Sequence, residues 1–71
     1  MAGVVDSFGQ NVRSARYARG WTQEDLAHEA GLSVVQISRI ERGAREIRLS
    51  TLLKLVAAFK TTPNKLLNGL Y

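Results

Sequence analysis

Along most of this chain apolar residues return every third or fourth position, and nowhere do they alternate with polar ones. Wound at about 100° per residue, Phe8, Val12 and Ala15 share one side of a segment from Ser7 to Arg19, which Gly20 ends. Thr22 then precedes a second helical segment through Ala30. Asp25 lies three residues on, where a capping box needs an acceptor, and Glu24 and Asp25 stand where a helix dipole favours anions. Gly31 stops this segment, and Ser33 opens a third that runs to Gly43. "AREIR" reads as a loop. Leu52, Leu55, Val56 and Phe59 make one stripe of a fourth helix from Leu49 to about Lys60. "TTPNKLLNG" holds a complete short helix, with Thr62 as cap, Pro63 in the first turn and Gly69 as stop. The pattern predicts an all-α fold, a compact domain of five short helices.

The third segment has two faces. Ile37 and Ile40 share the side that wants a core, whereas Val35, Ser38, Arg39 and Arg42 lie opposite, with Val34 at their flank. Residues 22–42 thus form two short helices joined at Gly31 by a tight turn. Ala27 is small enough to let the two helices cross closely. Leu26, Ala30, Leu32, Ile37 and Ile40 are spaced to form their shared interior.

Length changes this picture little. Seventy-one residues make a single domain, 1–71, with 1–6 read as a flexible lead. Charge changes it more. Ten Lys and Arg against six Asp and Glu leave a net +4, and Arg39, Arg42, Arg45 and Arg48 recur at every third position. Guanidinium groups suit bidentate contact with phosphates or base edges, so a polyanionic partner competes with a merely solvated surface. The chain has no cysteine and one histidine, His28, with no carboxylates clustered about it. We therefore expect no metal and no cofactor. With no nucleophile–base pair, phosphate-cradling glycine loop or carboxylate dyad at useful spacing, we expect no enzyme. The apolar runs are too short to span a bilayer and no signal-peptide pattern opens the chain, so the expectation is a soluble, cytoplasmic protein without membrane contact.

"TQEDLAHEAGLSVVQISRIERG" resembles the helix-turn-helix of the lambdoid phage repressor and Cro (XRE-like) family. The flanks "FGQNVRSARYARGWTQ" and "LSTLLKLVAAF…TTPNKLLNGL" resemble that family's first, fourth and fifth helices. The "ERGAREI" loop and short length also resemble restriction–modification controller proteins. The resemblance implies a lambda-repressor-like fold that binds double-stranded DNA in a bacterial or phage setting, at the nucleoid. It places Val34, Val35, Ser38 and Arg39 at base edges in the major groove. Arginine suits guanine O6 and N7, and a small apolar group suits the thymine methyl. Many relatives carry long polar side chains where this chain has Val34 and Val35, so thymines are expected where relatives read by hydrogen bonds. The alternative for Val35 is a protein contact, with a partner or a neighbouring helix.

Gln23 matches a phosphate-holding position and sits at a helix N-terminus, where free N–H groups favour anions. Ser33 is expected to offer a hydroxyl or backbone N–H to the next phosphate. Arg42, Arg45 and Arg48 follow the recognition helix along the flanking backbone. The family pattern pairs Arg16 with Glu41, a structural ion pair. Trp21 is assigned to packing beside the first helix.

One helix in one groove contacts too few base pairs to be selective, and the family commonly uses a two-fold dimer on a palindromic site. Leu66, Leu67, Leu70 and Tyr71 are the expected interface, the alternative being that Leu70 and Tyr71 fold back over their own core. The leading reading is a sequence-specific transcriptional regulator acting as a homodimer. The alternative is a protein-interaction module, an antitoxin or adaptor. RNA polymerase becomes a partner if the protein activates, with Glu24, Asp25 and Glu29 as candidate contacts.

Overall fold

The computed structural model describes residues 4–43 and 46–70. Five helices follow in order: α1 (Val4–Ala18), α2 (Gln23–Ala30), α3 (Val34–Glu41), α4 (Leu49–Phe59) and α5 (Pro63–Leu66). No strand occurs among the described residues. α1 begins three residues earlier than expected, at Val4. Residues 4–6 of the expected flexible lead therefore have helical backbone, and residues 1–3 lie outside the described residues.

The apolar stripes converge on one core. Phe8 and Val12 of α1, Leu26, Ala27 and Ala30 of α2, Ile37 and Ile40 of α3, Leu55, Ala58 and Phe59 of α4, and Leu66 of α5 are all buried. Trp21 packs on this cluster and stacks against Phe59, with ring centroids 5.8 Å apart. α3 lies against both α1 and α2, while α5 closes the far side against α1 and α4.

Close approach sets the geometry of α1 and α3. A Cβ on Gly9 would collide with the Ile40 carbonyl oxygen and lie 3.0 Å from that of Glu41, so only glycine lets the end of α3 seat this closely on α1.

Of the later helices, α4 ends where expected and α5 ends early. α4 stops at Phe59, with Lys60 in the left-handed region at φ 52°. Arg19 lies over the Phe59 and Trp21 rings and donates to the Phe59 and Ala15 carbonyls, so this arginine serves the fold. α5 stops at Leu66 instead of continuing to Gly69. Asn11 explains this: its Nδ2 donates to the Leu66 and Asn68 carbonyls, both at 2.9 Å, and the chain turns there.

Candidate nucleic-acid interface

The helix pair α2–α3 is fixed by its ends. Thr22 Oγ1 accepts from the Asp25 N–H at 3.0 Å while the Thr22 N–H donates to Asp25 Oδ2 at 2.8 Å, a complete capping box. Ser33 and Gln36 build a second, at 3.1 and 2.9 Å, which the S-x-x-Q spacing could have announced. Between the boxes Gly31 takes φ 67°, and the Leu32 N–H donates to the Ala27 carbonyl at 2.9 Å. Leu26, Ala27, Ile37 and Ile40 are buried beneath. Two short helices are thereby held at one angle by directional bonds and by packing.

The outer face of α3 is open. Val35 is 57 % exposed and Val34 40 %, so Val35 is not packed under a neighbouring helix of its own chain. Ser38 is half-buried between them and the core. Arg39 and Arg42 are exposed. Arg42 Nε donates back to the Ser38 carbonyl at 3.3 Å. Among the described residues nothing hydrogen-bonds or ion-pairs with Arg39, which is exposed and lines a cleft of about 430 Å³. Gln36, Arg48 and Lys54 also line this cleft, with Glu46 as the one acidic wall.

Arg48 stands at the N-cap of α4 and makes no capping bond. A cation there opposes the helix dipole, an arrangement that an external anion would relieve. Ser33 is more committed than expected. Its backbone N–H is engaged by Gln36, so only the hydroxyl proton remains to offer a phosphate. Arg45 lies outside the described residues.

Behind this face sits a buried charge. Glu41 has a side chain with no exposure, and Arg16 meets it with a two-point contact: Nε to Oε2 at 2.8 Å and Nη2 to Oε1 at 3.0 Å. Arg16 Nη1 also donates to the Trp21 carbonyl at 2.8 Å, tying α1, the loop and the end of α3 together. Glu41 Oε1 accepts further from Gln23 Nε2 at 3.3 Å and Arg13 Nε at 3.4 Å. Burial pushes the Glu41 carboxyl up, but the Arg16, Gln23 and Arg13 donors and the Arg16 charge outweigh it and hold it below the usual carboxylate value. The Glu41 bond raises the Arg16 guanidinium further, against the opposing pull of burial.

The expected dimer patch is only partly available. Leu66 is 3 % exposed because it belongs to the core of its own protomer, and it drops out of any interface. Leu67 and Leu70 are half-buried against that same core, as the fold-back alternative requires of Leu70, and Tyr71 lies outside the described residues. Besides Val34, Val35 and Tyr17, the large apolar groups left in water among the described residues are Leu49 and Leu53, 69 % and 52 % exposed, one turn apart on α4 and off its core stripe. Sequence reasoning passed over them because their spacing is helical but their face is not the core's.

Among the described residues no group of metal-ligating side chains gathers, and no helix is long and apolar enough to cross a membrane.

Known proteins carry the same arrangement. The family described as helix-turn-helix matches residues 12–66. The chain is 39 % identical to control protein C.SmaI of Serratia marcescens over 64 residues, which is 90 % of this chain and 76 % of that protein. It is 40 % identical to control protein C.BamHI of Bacillus amyloliquefaciens over 62 residues, covering 86 % of this chain and 76 % of that one. Among solved structures, the restriction-modification controller protein C.AhdI from Aeromonas hydrophila superposes with a TM-score of 0.83 at 39 % identity, covering 87 % of this chain and 94 % of that one. With C.AhdI the likeness extends to the fold of nearly the whole chain. The chain belongs to the helix-turn-helix family of DNA-binding transcriptional regulators.

Proposed function

We propose that the protein binds a two-fold-symmetric duplex site as a homodimer, with α3 of each protomer lying in a major groove and reading sequence there. The carrying observation is the outer face of α3, where Val35 and Arg39, the latter without a partner among the described residues, are exposed on a helix anchored by its cap and its buried face. Arg39 would take guanine O6 and N7, Val34 and Val35 thymine methyls, and Ser38 a neighbouring edge. Gln23, the Ser33 hydroxyl, Arg42, Arg45 and Arg48 would hold the flanking phosphates. Leu49 and Leu53, with what Leu67 and Leu70 still expose, supply the apolar surface for the two-fold contact.

The protein acts in this reading by occupying DNA, without catalysis, metal or cofactor. Its likeness to control proteins of restriction–modification systems supports genes of that kind as targets. Glu24 and Glu29, exposed on α2, are the surface for RNA polymerase if occupancy activates, since Asp25 is engaged by its own helix cap.

Selection from a random duplex library near physiological salt tests the whole reading. The expected product is a palindrome with half-sites about ten base pairs apart and thymine where Val35 lands. Arg39→Ala should relax the site at one base pair per half-site and cost about 1–3 kcal/mol per contact. Salt-sensitive binding with no enriched sequence would overturn the regulator and put the protein-interaction module first.

A further inference from the structure

Of the arginines, Arg16 is neutralised by Glu41 and Arg19 is spent on the end of α4. Arg13 belongs to neither group. Its side chain is 44 % exposed, and its one side-chain bond among the described residues is from Nε to Glu41 Oε1, at 3.4 Å. A guanidinium has five N–H donors, so those on both Nη atoms are left over, without an acceptor among the described residues.

The carboxylate it touches is already matched by Arg16 through a two-point contact. One negative charge thus meets two positive ones, and the surplus cation is the one at the surface. Gln23 touches the same oxygen atom at 3.3 Å, which makes the two head groups neighbours. A carboxylate accepts and does not donate, so it turns the Gln23 amide with Nε2 inward and leaves one of the two Nε2 hydrogens for something outside.

Gln23 is the first residue of α2, whose dipole adds positive potential at this spot. Glu24 and Asp25 follow it, but Asp25 is bonded back to Thr22 and neither pairs with Arg13. A surplus cation, a directed amide hydrogen and a helix N-terminus converge here, and the one acceptor they share is buried.

We infer that Arg13 is a further contact to the DNA backbone, gripping the same phosphate as Gln23, with Glu41 as the positioning residue that fixes both head groups. This rests on the duplex-binding reading above and extends it to α1, outside the helix-turn-helix itself. The occupant is a phosphodiester oxygen, recognised by charge and geometry without regard to sequence.

The test is the salt dependence of binding to the selected duplex and to a random one, for wild type, Arg13→Ala, Arg13→Gln and the Arg13→Ala/Gln23→Ala double variant. Arg13→Gln keeps a donor for Glu41 and removes the charge, so it separates loss of a phosphate contact from damage to the buried pair. Arg13→Ala and Arg13→Gln should each weaken both duplexes about fivefold near physiological salt and make the slope of log affinity against log salt shallower by about 0.9, the share of one phosphate. With a common phosphate, the double variant should lose less than the sum of its singles.

If wild type binds but Arg13→Gln keeps the full slope, Arg13 is only a lid over Glu41 and the inference fails alone. Additive losses in the double variant would overturn the shared phosphate. If wild type shows no salt-dependent duplex binding, the regulator reading falls and takes this one with it.

Discussion

The first three helices and the last two are held by different kinds of force. From α1 to α3 the joints are polar and directional: two capping boxes, a buried carboxylate with four bonds from three side chains, and a glycine that admits backbone to backbone. α4 and α5 are joined to each other mainly by apolar packing. The side-chain bonds that reach them, from Arg19 to the Phe59 carbonyl and from Asn11 to the Leu66 and Asn68 carbonyls, sit at their C-terminal ends. Their irregularities are an uncapped arginine, a lysine in the left-handed region and two leucines left in water. Directional bonds resist rotation of a helix about its axis far better than apolar contact does, since oily surfaces slide at little penalty. The half that presents α3 needs a defined angle. The half that supplies bulk tolerates irregular ends.

The sharpest way to break this contrast is Glu41→Ala. It strands the buried Arg16 charge and should cost about 3–5 kcal/mol in urea unfolding, a large share of what so small a domain has. Acid should act in the same place. The folded carboxyl titrates below the unfolded one, so its stabilisation is complete at neutral pH. It fades as pH drops through the ordinary carboxylate range and is gone below the lowered folded value. Glu41→Gln should flatten that part of the stability–pH curve. A mutant curve parallel to wild type would show that other carboxyls govern acid unfolding.

Gly9→Ala comes next. Helix propensity alone forecasts a gain of about 1 kcal/mol, but the collision with the end of α3 should turn it into a loss of about 1–3 kcal/mol. Thermal unfolding decides the sign, and a gain would mean that α1 and α3 can part without penalty.

The smallest effect sharpens the comparison from the other side. Arg48→Ser gives α4 a capping side chain and removes an adverse charge, so stability should rise by about 1 kcal/mol. DNA affinity should fall on every sequence at once. A variant both steadier and undiminished in binding would take Arg48 out of the interface.

Much of this was legible in advance, and the reasons differ by residue. Capping residues and glycines act on their own few neighbours, so Thr22, Gly31, Ser33 and Pro63 mark helix ends wherever the chain folds. The two faces of α3 follow from periodicity alone. Other features depend on what a residue meets across space. Gly9 looks like an ordinary weak point in a helix until α3 is laid against it. Leu66 and Leu67 are consecutive, and only the placement of α1 and α4 decides that Leu66 turns inward. Asn11 ends α5 from a distance of more than fifty residues in sequence, which no local pattern encodes. Arg13 is not legible in the sequence because the family pattern pairs Arg16 with Glu41 and gives no sign that a second guanidinium donates to the same carboxylate.

The Ser33–Gln36 box has an entropic consequence. Val34 and Val35 occupy the first two positions of α3, inside the turn that the box closes. Helix ends ordinarily fray, but this one is tied back on itself at the residues that would meet a base. Valine in a helix has one dominant χ1 rotamer, so neither backbone nor side chain has much freedom to surrender. A long polar side chain at the same place would have to be immobilised on contact, at about 0.5–1.5 kcal/mol for each. On the proposed reading, these side chains would meet a base already ordered. The same stiffness would leave them unable to reach for a base that is displaced, so the fit would depend on the DNA arriving in the right shape.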